Sequence, residues 1–231
     1  MRSYIRPTTP PRHGRPTMKL SPIACSALLL LLGCRGTYYD VMEQFGVEKR
    51  DILVDRVEEG RDAQTQAKEQ FQDALEAFKS VTQFQGGELE ARYHKLKSES
   101  DDVAARVTEV GERIDSIEQV ANDLFTEWKK EIKQISSSEL KAQSQHMLSE
   151  TQARYGELLK AMKKAEAKMQ PVLTAFNDRV LYLKHNLNAQ AIASLSAQAA
   201  EIDTKVQDLV REMEASIAEA NEFIAAMDTG Q

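Results

Sequence analysis

Histidine is the side chain most often recruited for metal binding and for proton transfer near neutral pH. Beyond Asp40 it occurs only at His94, His146 and His185. A di-metal site inside a helical bundle needs Glu-x-x-His pairs. The residues three positions before these histidines are Ala91, Gln143 and Tyr182, so no pair forms. The chain has no His-Glu-x-x-His, no cysteine pair with metal-ligand spacing and no EF-hand loop. A glycine-rich phosphate loop and a Gly-x-Ser-x-Gly elbow are also missing. Carboxylates abound, 36 Asp and Glu in all, and on helical surfaces they usually form a solvated face. One dense polar cluster has apolar residues on both sides: Lys184, His185, Asn186, Asn188 and Gln190. It reads as a recognition patch or, with more support, as a turn whose asparagines cap helix ends. No catalytic residue, metal or cofactor is expected, and the chain is not expected to be an enzyme.

The remaining reactive group is the Cys34 thiol. An apolar run from Ile23 to Leu32 ends at Gly33-Cys34-Arg35. It is far shorter than the roughly 20 residues that a spanning helix needs. Arg2, Arg6, Arg12, Arg15 and Lys19 precede it, and no acidic residue occurs before Asp40. This layout is that of a secretory signal over residues 1–33, with Met18 a plausible start and residues 1–17 an upstream extension. Leu31-Leu32-Gly33-Cys34 resembles the lipobox of bacterial lipoproteins. The resemblance implies cleavage between Gly33 and Cys34, a diacylglyceryl group on the Cys34 sulfur and an acyl chain such as palmitate on its amino group. Residues 34–37 would then be a lipidated tether. Arg35 stands where aspartate often signals inner-membrane retention, which points to the outer membrane, facing the periplasm. Two or more acyl chains anchor stably, at about 0.8 kcal/mol per buried methylene.

Cleavage would remove five basic residues and no acidic one, taking the formal charge from −6 to −11. A chain this acidic is a poor partner for nucleic acid, whose binding needs a basic surface. Cys25 would leave with the signal and Cys34 would carry lipid, so no disulfide is expected and packing alone must supply stability.

The body of the chain, residues 38–229, reads as an all-α domain: an elongated antiparallel helical bundle or coiled coil of three to four long helices. Apolar residues spaced four and three apart run through Leu53, Val57, Gly60, Gln64, Ala67, Phe71, Ala74, Phe78 and Val81. A second run passes through Leu89, Tyr93, Leu96, Ser100, Val103, Val107, Val110, Ile114, Ile117, Ala121, Leu124 and Trp128. A third passes through Leu148, Thr151, Tyr155, Leu158, Met162, Ala165, Met169, Val172 and Phe176. Such heptads place long helices along shared seams. Trp128, Phe71, Phe78 and Phe176 read as core, and the lone Gly60, Gly111 and Gly156 as tolerated interruptions.

The first helix is expected from Tyr38, capped by Thr37, to Phe84, stopping at Gln85-Gly86-Gly87. The second is expected from Glu88 to Ile135. Ser136 with Glu139 forms a capping box opening the third. Pro171 should kink the third helix. A last apolar stripe, Ile202, Val206, Leu209, Met213, Ile217, Ala220 and Ile224, needs a partner. A fold-back near Asn186 supplies one, with Asn186 in the left-handed conformation, Leu187 packed on Leu183 and Asn188 capping the next helix. One unbroken helix whose stripe is hidden by dimerisation is the alternative. Tyr38 and Tyr39 suit a membrane interface beside an anchor.

Three stretches, "YYDVMEQFGVEKRDILVDRV" at 38–57, "LFTEWKKEI" at 124–132 and "MQPVLTAFNDRVLYLKHNLNAQAIASL" at 169–195, resemble the bacterial lipoprotein family of domain of unknown function 2959. The resemblance spans nearly the whole chain after Cys34 and implies no activity or ligand. The expectation is a lipid-anchored cell-envelope protein acting as a structural or protein-interaction module. A small-ligand or lipid-binding accessory protein, or an enzyme using the Lys184–Gln190 patch, is the alternative. The expected partners are the membrane through the lipid and an envelope protein or a second copy. Cys34→Ser should release the protein from the membrane fraction on cell fractionation. Equal retention of both forms would remove the anchor from consideration.

Overall fold

A computed structural model of the chain describes residues 49–84, 86 and 88–228. All lie in one compact unit that begins at Val47. The described residues form five α-helices and no strand: α1 (Lys49–Thr82), α2 (Leu89–Gln134), α3 (Ser138–His185), α4 (Ala189–Ser196) and α5 (Ala199–Asp228). Four are long, and α4, with 8 residues, is a short element that the sequence reading did not separate. The helix start expected at Tyr38, the Thr37 cap and Gly87 lie outside the described residues.

Each boundary has a local cause. After α1 the chain turns at Gly86, whose φ of +129° is a conformation that side chains rarely adopt. Charge at the helix ends suits the macrodipole, with Asp51 and Glu90 in the first turns of α1 and α2 and Lys79 and Lys133 in their last turns. The cap of α3 is Ser137, not Ser136. Its hydroxyl accepts from the Leu140 amide at 3.3 Å, while Glu139 occupies the first turn. Pro171 stands inside α3, which continues through it to His185.

At the end of α3, Asn186 stops the helix without going left-handed. Its φ and ψ are −133° and 47°, and no described non-glycine residue has positive φ. The Asn186 side chain donates instead to the Tyr182 carbonyl at 2.9 Å, and its amide to Leu183 O at 3.1 Å. Asn188 caps α4 as expected, accepting from the Ala191 amide at 3.0 Å. Leu187 remains exposed, so it does not serve as the expected hydrophobic latch.

The long helices pair in alternating directions. Along α1 and α2 the contacts run in opposite order: late in α1, Ser80 O accepts from Arg92 at 2.7 Å, and earlier, Glu59 accepts from Arg113 at 2.8 Å. Between α2 and α3, Ser100 donates to Asn177 at 2.8 Å, Lys163 pairs with Glu118 at 2.8 Å, and Trp128 Nε1 donates to Ser144 at 2.9 Å. Helix α5 returns along α3, where Glu212 takes Lys164 and Lys168, each at 2.7 Å. It also runs along α1, where Lys79 meets Asp203, Lys68 meets Glu214 at 3.5 Å and Arg61 meets Asn221 at 3.3 Å. The contacts α1–α2, α2–α3, α3–α5 and α5–α1 close a ring.

Every position of the first apolar run is buried, Gly60 and Gln64 included. In the other runs Leu89, Val107, Trp128 and Tyr155 are only half-buried. Trp128 is therefore not core; it sits where its indole N–H can reach Ser144. In α5 the buried face runs through Met213, Ser216, Ala220, Phe223 and Met227, leaving Ile217 at its edge. Phe78 and Phe176 meet edge to face, centroids 6.5 Å apart. Ser100 and Thr151 are buried with hydrogen bonds, Thr151 to Met147 O at 2.9 Å. Neither the Gln64 amide nor the Ser216 hydroxyl, both 0% exposed, has a hydrogen-bond partner among the described residues.

Gly60 is more than tolerated. A Cβ there would lie 2.7 Å from Ile117 Cδ1 and 3.4 Å from Met162 Cε, so a side chain at this position would have to displace the ends of those two side chains. Around Gly156 nothing lies within 4 Å. Alanine in a helix interior is favoured over glycine by about 0.5–1 kcal/mol. Gly156→Ala should therefore raise stability by that amount in urea denaturation. Gly60→Ala should show less of the gain, because the end of the Ile117 side chain must move aside to admit the methyl.

Candidate functional site

The expected polar patch sits at the end of the ring where α3 gives way to α4. Lys184, His185, Asn188 and Gln190 are exposed and Asn186 is half-buried. Asn186 and Asn188 are occupied as caps, so the patch is first a turn. Neither of two open grooves described on the surface is lined by Lys184, His185 or Gln190. Gly33 and Cys34 lie outside the described residues.

The short helix α4 is fastened to the end of α1. Its Ala191, Ile192 and Leu195 are buried. The Ser196 hydroxyl lies 2.6 Å from Thr82 O and 2.9 Å from its own Ile192 O, so its single proton serves one carbonyl at a time. Arg179 clamps the far side of the turn, donating to Ala175 O at 2.8 Å and to Gln198 Oε1 at 3.0 Å. The Gly86 turn and the Lys184–Gln190 turn, far apart in sequence, are thus carried at one end of the ring. Three side chains there escaped the sequence reading as surface features: Leu181, Tyr182 and Leu187, 62%, 40% and 36% exposed.

Along the flanks the polar residues mostly satisfy one another. Between α3 and α5 a groove of about 350 Å³ is lined by Arg154, Glu157, Glu219, Glu222, Phe223 and Ala226. Between α1 and α5 a second, of about 390 Å³, has Leu75, Val206 and Val210 among charged residues that include the Lys79–Asp203 pair. Among the described residues no cluster of His, Cys, Asp and Glu is arranged to hold a metal ion. Burial, reinforced by Asp115, raises the Glu166 carboxyl above its ordinary range, with Lys163 opposing. The Tyr155 phenol is pushed up to about 12 by burial, with Glu118 adding to it. Hydrogen bonds from Lys164 and Lys168 hold Glu212 below its ordinary range.

A family model described as Protein of unknown function (DUF2959) matches residues 38–227. The chain belongs to this family. No curated protein and no solved structure matches it. Membership in DUF2959 brings no catalytic residue or ligand with it, so any site in this DUF2959 member has to be argued from its own side chains. No described helix is long and apolar enough to cross a membrane.

Glu166 and Glu212 make the flank electrostatics measurable. A carboxyl whose pKa is higher in the folded chain than in the unfolded one penalises the fold once pH exceeds its unfolded value. Glu166→Gln should therefore raise the melting midpoint at neutral pH, with the gain fading in acid. Glu212 has the opposite sign: its contribution is present above the unfolded pKa and disappears as pH falls through the folded one. Glu212→Gln should lower the midpoint at neutral pH and leave it unchanged in acid. Thermal melts followed by circular dichroism at both conditions check the pair.

Proposed function

We propose that this DUF2959 chain is a lipid-anchored, non-catalytic module of the bacterial cell envelope. In this reading it is an elongated antiparallel four-helix bundle, tethered through Cys34 to the outer membrane on the periplasmic side, and it holds apart or joins envelope components. The observation that carries the reading is the closed ring of long helices whose seams are filled by Leu, Val, Ile, Phe and Met. A filled seam offers stiffness and length, about 70 Å for the 48 residues of α3 at 1.5 Å per residue. Its exposed flanks carry ion pairs and solvated carboxylates, which favour polar or basic protein partners over nucleic acid. The apolar run before Cys34 and the residues around it support the anchor.

A small-ligand carrier or an enzyme working through Lys184, His185 and Gln190 makes a different demand. Either would need those groups to converge on a substrate, and two of the five patch residues are already engaged as helix caps. Crosslinking in intact cells, followed by identification of what is captured, tests the proposal. It is paired with a double variant, Lys184→Arg with His185→Asn, that keeps charge and polarity while removing amine and imidazole chemistry. The expected result is reproducible capture of one envelope protein or of the chain itself, unchanged in the double variant. If nothing is captured, and the double variant abolishes the cellular phenotype at unchanged helicity and abundance, the enzyme or ligand-binding alternative replaces the module.

A further inference from the structure

We propose that the end of the bundle built by the α3–α4 turn docks onto an anionic phospholipid surface. Leu181, Tyr182 and Leu187 would enter the headgroup layer, and Lys184 would meet lipid phosphate.

Four large apolar side chains are exposed among the described residues, and three of them, Leu181, Tyr182 and Leu187, fall within one short stretch. Nothing in the described chain covers them. Exposed Lys184 and His185 stand between them, and Arg179 is held alongside by Ala175 O and Gln198.

Charge sets this end apart. No Asp or Glu occurs between Asp178 and Glu201, the longest such interval after Asp40 in a chain of formal charge −6. The end of α1 that α4 touches continues the pattern, since none occurs between Glu76 and Glu88. The acidic group nearest this end in sequence is exposed Asp178, three residues before Leu181, which bounds the contact on the α3 side; beyond the turn, Glu201 is paired with Lys205 at 2.6 Å and Asp203 with Lys79. Glu88 and Glu90 at the start of α2 are exposed, and they limit how far the contact extends around the ring.

The mixture of groups selects the partner. A phosphate polymer would engage Lys184 and leave the leucines in water. An acidic protein helix needs an apolar groove, and neither of the two grooves described above includes these residues. A bilayer offers both a phosphate layer and an apolar layer beneath it, and tyrosine is favoured at that boundary. Asn186 and Asn188 hold the turn in one shape through their caps, so little ordering accompanies contact. The acidic flanks would be repelled by the same lipids, which makes the approach end-on. This contact is independent of any lipid on Cys34.

The test uses the full chain with Cys25→Ser and Cys34→Ser. A single environment-sensitive dye is placed through Gln190→Cys, which leaves all three apolar side chains intact. Vesicles of phosphatidylethanolamine with phosphatidylglycerol are compared with vesicles of phosphatidylcholine alone. The expected result is a blue shift, with quenching by lipid-borne quencher, on the anionic vesicles only. Lys184→Glu should weaken it at least about tenfold, since each basic side chain contributes measurably at an anionic surface. The same dye at Leu140→Cys, the exposed leucine near the α2–α3 turn, should report water throughout. The proposal is overturned if the dye at Gln190→Cys stays in water on anionic vesicles. It is equally overturned if the Leu140→Cys dye responds as strongly, which would mean adsorption through the apolar run before Cys34. A response to soluble polyglutamate as large as that to vesicles would also overturn it, because the end would then be reading charge alone.

Discussion

The apolar stripe of α5 is the constraint from which the rest follows. Ile202, Val206, Leu209, Met213 and Ala220 are all at most 1% exposed, and a stripe of that length cannot stand in water at about 25 cal/mol for each Å². One neighbouring helix covers one side of it; two are required to close it. Helix α5 therefore has to lie in the valley between α1 and α3, and the chain must reverse after His185 to bring it there. The reversal in turn demands two caps within three residues and a short helix to bridge the end of the ring. Asn186, Asn188 and α4 meet those demands.

Polar groups inside the ring divide into two kinds. Ser100 and Thr151 interrupt the apolar seams and are satisfied, one by Asn177 across the seam and the other by a carbonyl one turn back. Gln64 and Ser216 are buried without such partners. An unpaired buried amide or hydroxyl costs about 1–3 kcal/mol. Gln64 and Ser216 stand on α1 and α5, the pair of helices joined across the greatest sequence separation. A polar group in an apolar seam can fix register at a cost in stability, and these two residues are placed where register is least helped by a short connecting turn.

Much of this was legible in the residues. Every position of the four-and-three spacing in α1 is buried, and Ile52, Ala63, Leu75, Ala77 and Thr82 widen that face beyond what the spacing named. Breakers fixed the α1–α2 turn, since Gly86 adopts a backbone that other residues avoid. Legibility failed where one side chain decides between neighbours. Ser136 and Ser137 are equivalent by type, and only the geometry of the Leu140 amide selects Ser137. Asn186 ends its helix by a side-chain bond rather than by a left-handed backbone, and both are open to asparagine. In α5 the drift from Ile217 to Ser216 follows from which helices flank it, a tertiary fact that a heptad count cannot contain. Of the expected patch, the capping role of Asn188 was readable. The exposure of Leu181 and Tyr182 beside it was not, because apolar residues at helical spacing ordinarily face inward.

The ring also has a weakest seam. Helices α1, α2 and α3 follow one another through short turns and can zip as adjacent hairpins. The α1–α5 seam joins residues as distant as Arg61 and Asn221 and so is closed over nearly the whole domain. Loop closure over long separations is entropically slow, and this seam belongs to the last events of assembly. The reverse excursion follows the same path. Parting α5 from α1 leaves the α1–α2, α2–α3 and α3–α5 contacts intact while uncovering apolar surface on both helices. Partial opening of this kind needs less free energy than global unfolding. Amide protons of α5 would then exchange with solvent ahead of those in the middle of α2, giving one end of the chain a shorter kinetic lifetime than the hairpins it completes.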